Sequence, residues 1–151
     1  MILRPLRRSD TVPLLEMWNA SARYDPLTPD LLEEKVWADP DFNPGAALVS
    51  EESGEITGFM AGLVRQTADG PRGVVKLAAV ATGHRRQGTG SRLLSAVEEA
   101  LAGSGAETIR VCESPPNYLT PGIDCRYSSA PYFFDKHGYR RWAEACNMTV
   151  D

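Results

Sequence analysis

The chain has little of what several common functions require. Its 3 cysteines, Cys112, Cys125 and Cys146, are odd in number and widely spaced. They form no CxxC pair and no metal-ligand spacing, which excludes a disulfide framework or a zinc knuckle as the organising device. They read as reduced thiols of a cytoplasmic protein, packed as small apolar groups. No metal is expected. Positive charge is not in excess either: 16 basic residues face 20 acidic ones, a formal net charge of −4. Phosphate backbones call for a basic excess, so nucleic acid is not the expected partner. A cationic amine is compatible with this balance. No run approaches the ~20 apolar residues that span a bilayer, and the start, Met1-Ile-Leu-Arg-Pro-Leu-Arg-Arg, lacks the apolar stretch of a signal peptide. No membrane partner is expected. Internal repeats, linkers and low-complexity tracts are also missing. With 151 residues, 42% of them apolar, the chain suits one domain over residues 1–151.

Hydrophobic patterning supplies the elements. Ile2 to Leu6 reads as a short edge strand, where Pro5 is tolerated because no neighbour needs its missing N–H. Ser9 and Asp10 are N-cap candidates for a helix carrying Val12, Leu14, Leu15, Trp18 and Ala22. Thr28-Pro29-Asp30 opens a second helix with proline at its favoured first position, and Leu31, Leu32, Val36 and Trp37 form its apolar face. Turn chemistry from Asp39 to Gly45 ends it. Ala46–Ser50 and Ile56–Val64 are strand-like, joined across Glu51–Glu55 as a hairpin. A polar loop, Gln66 to Arg72, leads to an apolar strand from Val74 to Ala81. Gly90 to Leu101 places Leu93, Leu94, Val97, Ala100 and Leu101 on one helical face, stopped by Gly103. Thr108–Cys112 is a short strand and Glu113–Tyr127 a long loop. Ala130–His137 is a short helix, and Trp142–Val150 a final strand with Trp142, Cys146, Met148 and Val150 on one face. This order predicts an α/β fold with a mixed sheet and helices on both faces.

The chemistry concentrates between Val80 and Leu94. An apolar strand runs into a glycine-bearing turn, and the turn opens an amphipathic helix. Free N–H groups at a helix start, reinforced by the helix dipole, make an anion site. Gly88 and Gly90 let the backbone approach a bulky phosphate, and Arg85 and Arg86 add charge. A Walker A loop fails here because Thr89-Gly90 follow Gly88 where Lys-Ser or Lys-Thr is needed. A dinucleotide fingerprint fails because Leu93 stands at its third glycine. A third pattern is met: Arg85-Arg86-Gln87-Gly88-Thr89-Gly90 has arginine or glutamine, then glycine three residues on, then glycine or alanine two further.

With the strand Leu77–Val80 before it and the leucine-rich helix after it, this stretch resembles the central motif of the GNAT acyltransferase family. Phe133-Phe134-Asp135-Lys136-His137-Gly138-Tyr139 resembles that family's later motif, and the resemblance extends over nearly the whole chain. It implies a GNAT-type, mostly antiparallel mixed sheet with a V-shaped split between the strands ending near Val80 and Cys112. Acetyl-CoA, as co-substrate, would lay its pantetheine arm in that split against backbone groups of Ala78, Ala79 and Val80. Its pyrophosphate would rest on the N–H groups of Gln87, Gly88, Thr89, Gly90 and Ser91, near Arg85 and Arg86. The N–H near Val80 would polarise the thioester carbonyl. The implied activity is direct N-acyl transfer to a small-molecule or peptide amine, with no covalent enzyme intermediate. The alternative is a non-catalytic acyl-CoA-binding or sensing module.

Catalytic residues are less legible. An ammonium must lose a proton before it attacks, yet the central strand carries Lys76 and no acid. Glu113, at the end of the next strand, is the expected base, ahead of Asp124. Family members carry a tyrosine at the position of Phe134 to protonate the leaving thiolate. Phe134 is instead expected on a groove wall, with Tyr127 or Tyr118 as the acid. Acceptor specificity is expected in the loop Pro115–Asp124 and in Tyr24–Pro29. His84 reads as a loop residue and His137 as a complement to a helix C-terminus. An edge near Trp142–Val150 needs cover from the long loop or from a second copy of the chain, so a homodimer is an expectation.

Overall fold

The computed structural model describes residues 1–144. The sheet has five strands in the order β1 (Ile2–Pro5), β2 (Phe42–Glu52), β3 (Glu55–Thr67), β4 (Gly70–Val80) and β5 (Thr108–Val111). β1 to β4 are antiparallel neighbours, and β5 joins β4 in parallel. Parallel pairing needs a crossover, which the helix α3 (Thr89–Gly103) provides. The other helices are α1 (Thr11–Ser21), α2 (Pro29–Leu32), which runs into a π-helical turn at Glu33–Trp37, and α4 (Ser129–Lys136).

Alternation along the strands divides the core. Ala47, Val49, Phe59 and Ala61 face α1 and α2, together with Leu14, Leu15, Trp18 and Leu32. Ala46, Leu48 and Met60 face α3, whose Leu93, Leu94, Val97 and Leu101 are fully buried. Helices thus cover both faces, as a mixed sheet requires. Gly58 and Gly62 let α3 lie close: a Cβ at Gly62 would stand 2.8 Å from Val97, and one at Gly58 2.9 Å from Leu93.

Several boundaries differ from the sequence reading. β2 begins at Phe42, not Ala46, because Phe42 pairs with Leu63 before a register shift. The polar loop expected at Gln66–Arg72 is mostly strand: Gln66 pairs with Pro71 and Arg65 with Arg72. Polar side chains at an exposed hairpin end keep the backbone ladder, and Gly70, at φ +107°, makes the turn. Val12 is 66% exposed on the outer side of α1, whose buried face is Leu14, Leu15, Met17 and Trp18. Thr28 does cap α2, its Oγ1 accepting from Leu31 N at 3.1 Å. The expected strand Trp142–Val150 lies for the most part outside the described residues, and 142–144 form no strand.

Candidate functional site

The sheet opens at one point, and the reason is local. β4 and β5 pair from Arg72 with Thr108 to Val75 with Val111. On its other side β4 skips a partner at Lys76, because Gly62 pairs with Val75 and Ala61 with Leu77. Such a bulge bends a strand. Across the gap, Cys112 takes a left-handed conformation, φ +66°, one residue after β5 ends. Two strands that ran together therefore diverge beyond Val75 and Cys112. The second half of β4 keeps an unpaired edge, along which Ala78 is exposed while Ala79 and Val80 are half-buried. Ala81 N donates to Thr57 O across the β3 side at 2.9 Å. Alternation then turns the backbone groups of Ala78 and Val80 toward the open edge.

At the end of that edge lies the glycine turn. Thr82–His84 make a 3-10 turn, and Gly88, at φ +85°, enters α3 in a left-handed conformation that favours glycine. A Cβ at Gly88 would meet nothing within 4 Å, so backbone geometry, not crowding, selects glycine there. At Gly90 a Cβ would stand 3.2 Å from the Phe133 ring, so this glycine serves the packing of α4 on α3. The first bond along α3 runs from Arg92 N to Gly88 O, at 3.0 Å, and no side chain caps the helix. The N–H groups of Thr89, Gly90 and Ser91 therefore lack intrahelical acceptors and point out of the helix end, as an anion cradle requires. Arg86 is exposed in the turn. Arg85 is committed elsewhere: it donates to Val80 O and to Ser21 O, both at 3.0 Å, strapping the end of α1 to the end of β4. His137 closes this corner. Its Nδ1 can only donate to Phe133 O, at 2.7 Å, so in the neutral ring Nε2 accepts from the Ser91 hydroxyl at 2.9 Å.

The opposite wall is built by the segment after α1 and the loop after β5. Asp25 is half-buried four residues beyond Ser21. Burial raises its carboxyl pKa, opposed by the neighbouring Tyr127 phenol. Tyr127 also accepts from Tyr24 N at 2.8 Å, and burial pushes its phenol up to about 12. Cys112, at the mouth of the split, is close enough for the Asp25 charge to raise it further, on top of burial, to about 11. The chain leading to Asp25 is thus strapped to the end of β4 at Ser21, and the Asp25 charge is felt by Cys112 at the end of β5. Sequence reading reached its segment, Tyr24–Pro29, but not the residue; the signal was an aspartate beside an aromatic in that segment.

The other candidates lie further out. Glu113 is 40% exposed and paired with Arg110 at 2.7 Å, whose guanidinium also stacks over Trp142. Its charge is already matched. Asp124 is clamped by Arg126 at 2.6 Å, which holds its carboxyl down at about 2. Tyr118 is 45% exposed beside the cleft that Asp25 lines. Phe134 packs in the α3 core at 7% exposure, edge-on to Phe133 and Tyr139, and borders the cleft that Asp25 and Tyr118 line. Lys76 is absorbed by a buried cluster. It pairs with Asp39 at 2.6 Å, and Arg65 grips the same carboxylate with two bonds of 2.7 Å. Ser114 and Asn117 of the long loop join it at 3.2 and 3.1 Å. The loop is thereby fixed against the bulge where the split begins.

A split mixed sheet whose free strand edge leads into an uncapped helix start defines a class of acyltransferase fold. The acetyltransferase (GNAT) family model matches residues 13–119, and the chain belongs to that family. No curated protein matches the chain. Among solved structures, the chain is similar to a transcriptional regulator from Bacillus halodurans C-125 at 17% identity, covering 99% of both chains with a TM-score of 0.75. A glucosamine N-acetyltransferase region of a fungal multi-domain beta-N-acetylglucosaminidase is 25% identical over 92% of this chain, with a TM-score of 0.80; the chain spans 17% of that protein. An aminoglycoside acetyltransferase from an uncultured soil metagenomic sample, in complex with sisomicin, is 17% identical, with 99% and 96% coverage and a TM-score of 0.72. No helix among the described residues is long and apolar enough to cross a membrane.

Proposed function

We propose that this protein moves an acetyl group, or another acyl group, from acyl-CoA to an amine by direct transfer within the split. The observation that carries this reading is the continuity of an unpaired β4 edge with the uncapped start of α3. Bound acyl-CoA supplies an acyl thioester. The N–H of Val80, turned to the open edge, would donate to its carbonyl oxygen and favour charge that develops there. The backbone of Ala78 and Ala79 would hold the pantetheine arm as a neighbouring strand is held. The N–H groups from Gln87 to Ser91 would receive the pyrophosphate, with Arg86 adding charge and Arg85 keeping the turn against β4. Glu113 enters as a base only by giving up Arg110. Tyr118 is the phenol freer to reach a leaving sulfur, because the Tyr127 hydroxyl already accepts from Tyr24 N. An acid is not essential, since a thiol ionises near pH 8.5. Amino sugars are the first acceptors to test, because similar structures are described as glucosamine and aminoglycoside acetyltransferases.

One observation favours a second reading, a non-catalytic acyl-CoA sensor: the family's phenol position is Phe134, a side chain with no proton to give. One experiment separates the two. At a hundredfold excess over its dissociation constant, acetyl-CoA should add about 2.7 kcal/mol and raise the melting temperature. Ser91→Asp should remove that rise while the protein stays folded. An acidic residue in a first helical turn favours the helix but repels a pyrophosphate. An undiminished rise in Ser91→Asp sinks this placement of the phosphates. Release of free CoA with an amine panel then decides between enzyme and sensor.

A further inference from the structure

We propose that Asp25 is the carboxylate that takes the proton from the acceptor ammonium in the split, with the Tyr127 phenol beside it. This rests on the acyl-transfer reading above. Three observations converge on Asp25. Its segment is strapped to the end of β4, because Arg85 bonds both Ser21 and Val80. Its own backbone is pinned, with Trp18 Nε1 donating to Asp25 O at 2.8 Å and Asp25 N to Ala22 O at 3.0 Å. Its side chain lines a cleft shared with Tyr118, Leu119 and Thr120 of the long loop. The groups facing it are Tyr127, Asp124 and Arg126 from the chain between β5 and α4, Tyr24 beside it, and Cys112 at the end of β5.

These neighbours set Asp25 apart from Glu113, Asp124 and Asp39. Glu113 and Asp124 are each neutralised by an arginine at hydrogen-bond distance. Asp39 is fully enclosed by Lys76 and Arg65. Asp25 has no arginine at that range among the described residues; a neutral phenol, Tyr127, stands beside it. Partial burial makes it a stronger base than a solvated aspartate. The step balances as follows. The ammonium gives one proton to Asp25, and the freed lone pair forms the C–N bond at the thioester carbonyl. The C–S bond breaks with its electron pair on sulfur, which takes the second amine proton. Asp25 then returns its own proton to water.

The test compares the parent with Asp25→Asn, Asp25→Glu and Tyr127→Phe by acetyl-CoA thermal shift and by amine acetylation across a pH series. Asp25→Asn should keep the parent's acetyl-CoA stabilisation and lose about a hundredfold or more in kcat, with the acidic limb of the pH profile gone. Asp25→Glu should recover part of the rate. Tyr127→Phe removes a phenol that favours the ionised carboxylate, so its acidic limb should move to higher pH. Parent kcat in Asp25→Asn overturns the proposal. So does a rise in KM alone, which would make Asp25 a mere anchor for the ammonium. A parent that is stabilised by acetyl-CoA yet acetylates no amine overturns Asp25 together with the transfer reading. A parent not stabilised at all overturns the coenzyme reading itself.

Discussion

Two cysteines separate burial from reactivity. The thiolate is the reactive form, so a thiol pushed up to about 11 is largely protonated at pH 8, whereas Cys125 is exposed on the long loop. Iodoacetamide at pH 8 should modify Cys125 well before Cys112, because Cys125 is exposed and Cys112 offers little thiolate. Peptide-resolved mass spectrometry checks the order. Equal rates would mean that the mouth of the split is open at Cys112. A saturating acyl-CoA should slow Cys112 further if its arm lies there. At this scale the sequence was legible where backbone chemistry dominates. Gly88 declares itself as a turn glycine, and its positive φ bears that out. It was not legible where side chains choose partners. Arg85 carries a charge beside the candidate anion cradle, yet its guanidinium is taken by two carbonyls, one of them Ser21 O, 64 residues away, and no local pattern foretells that. The same holds for the bond between Ser91 and His137.

At the scale of elements, the long loop after β5 is fixed by a carboxylate that sequence reading treated as turn chemistry. Asp39 is 1% exposed, and burial alone would raise its pKa; bonds from Arg65 and Lys76 outweigh this and hold it at about 2. Burial meanwhile lowers Lys76, which Asp39 only partly offsets. Because the Asp39 value in the folded state lies below the 3.8 of a free aspartate, its contribution is full above about pH 4 and is lost as pH falls toward 2. A shift of that size corresponds to about 2 kcal/mol. Asp39→Asn should cost roughly 3–5 kcal/mol at neutral pH, because two buried cations lose their main partner. Its stability should also fall less than the parent's between pH 4 and pH 2. Urea titrations at several pH values check both. A parallel loss of stability in the two proteins would place the acid-sensitive group elsewhere. The elements themselves were legible from period and caps, as the Leu93, Leu94, Val97 and Leu101 stripe shows. The hairpin between β3 and β4 was not, since polar residues at an exposed strand end look like a loop until pairing decides.

Across the whole molecule, the core and the candidate acyl-CoA site are one mechanical unit, because α3 serves both. Its Leu93, Val97 and Leu101 pack on Gly58 and Gly62 of the sheet, and its N-terminal turn supplies the free N–H groups. Any change that lifts the helix from the sheet moves the cradle relative to the β4 edge. Gly62 is the place to test this. A β carbon there would come within 2.8 Å of Val97 and 3.2 Å of Leu101, both fully buried, so neither side chain has room to yield. Gly62→Val should cost roughly 1–3 kcal/mol through overpacking, a fall in melting temperature of about 2–12 °C for a chain of this size. If α3 tilts to relieve the clash, acetyl-CoA affinity should fall as well, although Gly62 lies far from the turn in sequence. Gly103→Ala is the control: a Cβ there meets nothing within 4 Å and the residue lies at the end of α3, so stability should hold or rise by about 0.4–1 kcal/mol. Calorimetric titration with acetyl-CoA, at a temperature where both variants are folded, gives the second measurement. A destabilised Gly62→Val protein that binds acetyl-CoA as the parent does would show that the sheet absorbs the strain. The turn around Gly88 would then keep its place by the Arg85 strap and the Ser91–His137 bond, and not by the seating of the helix.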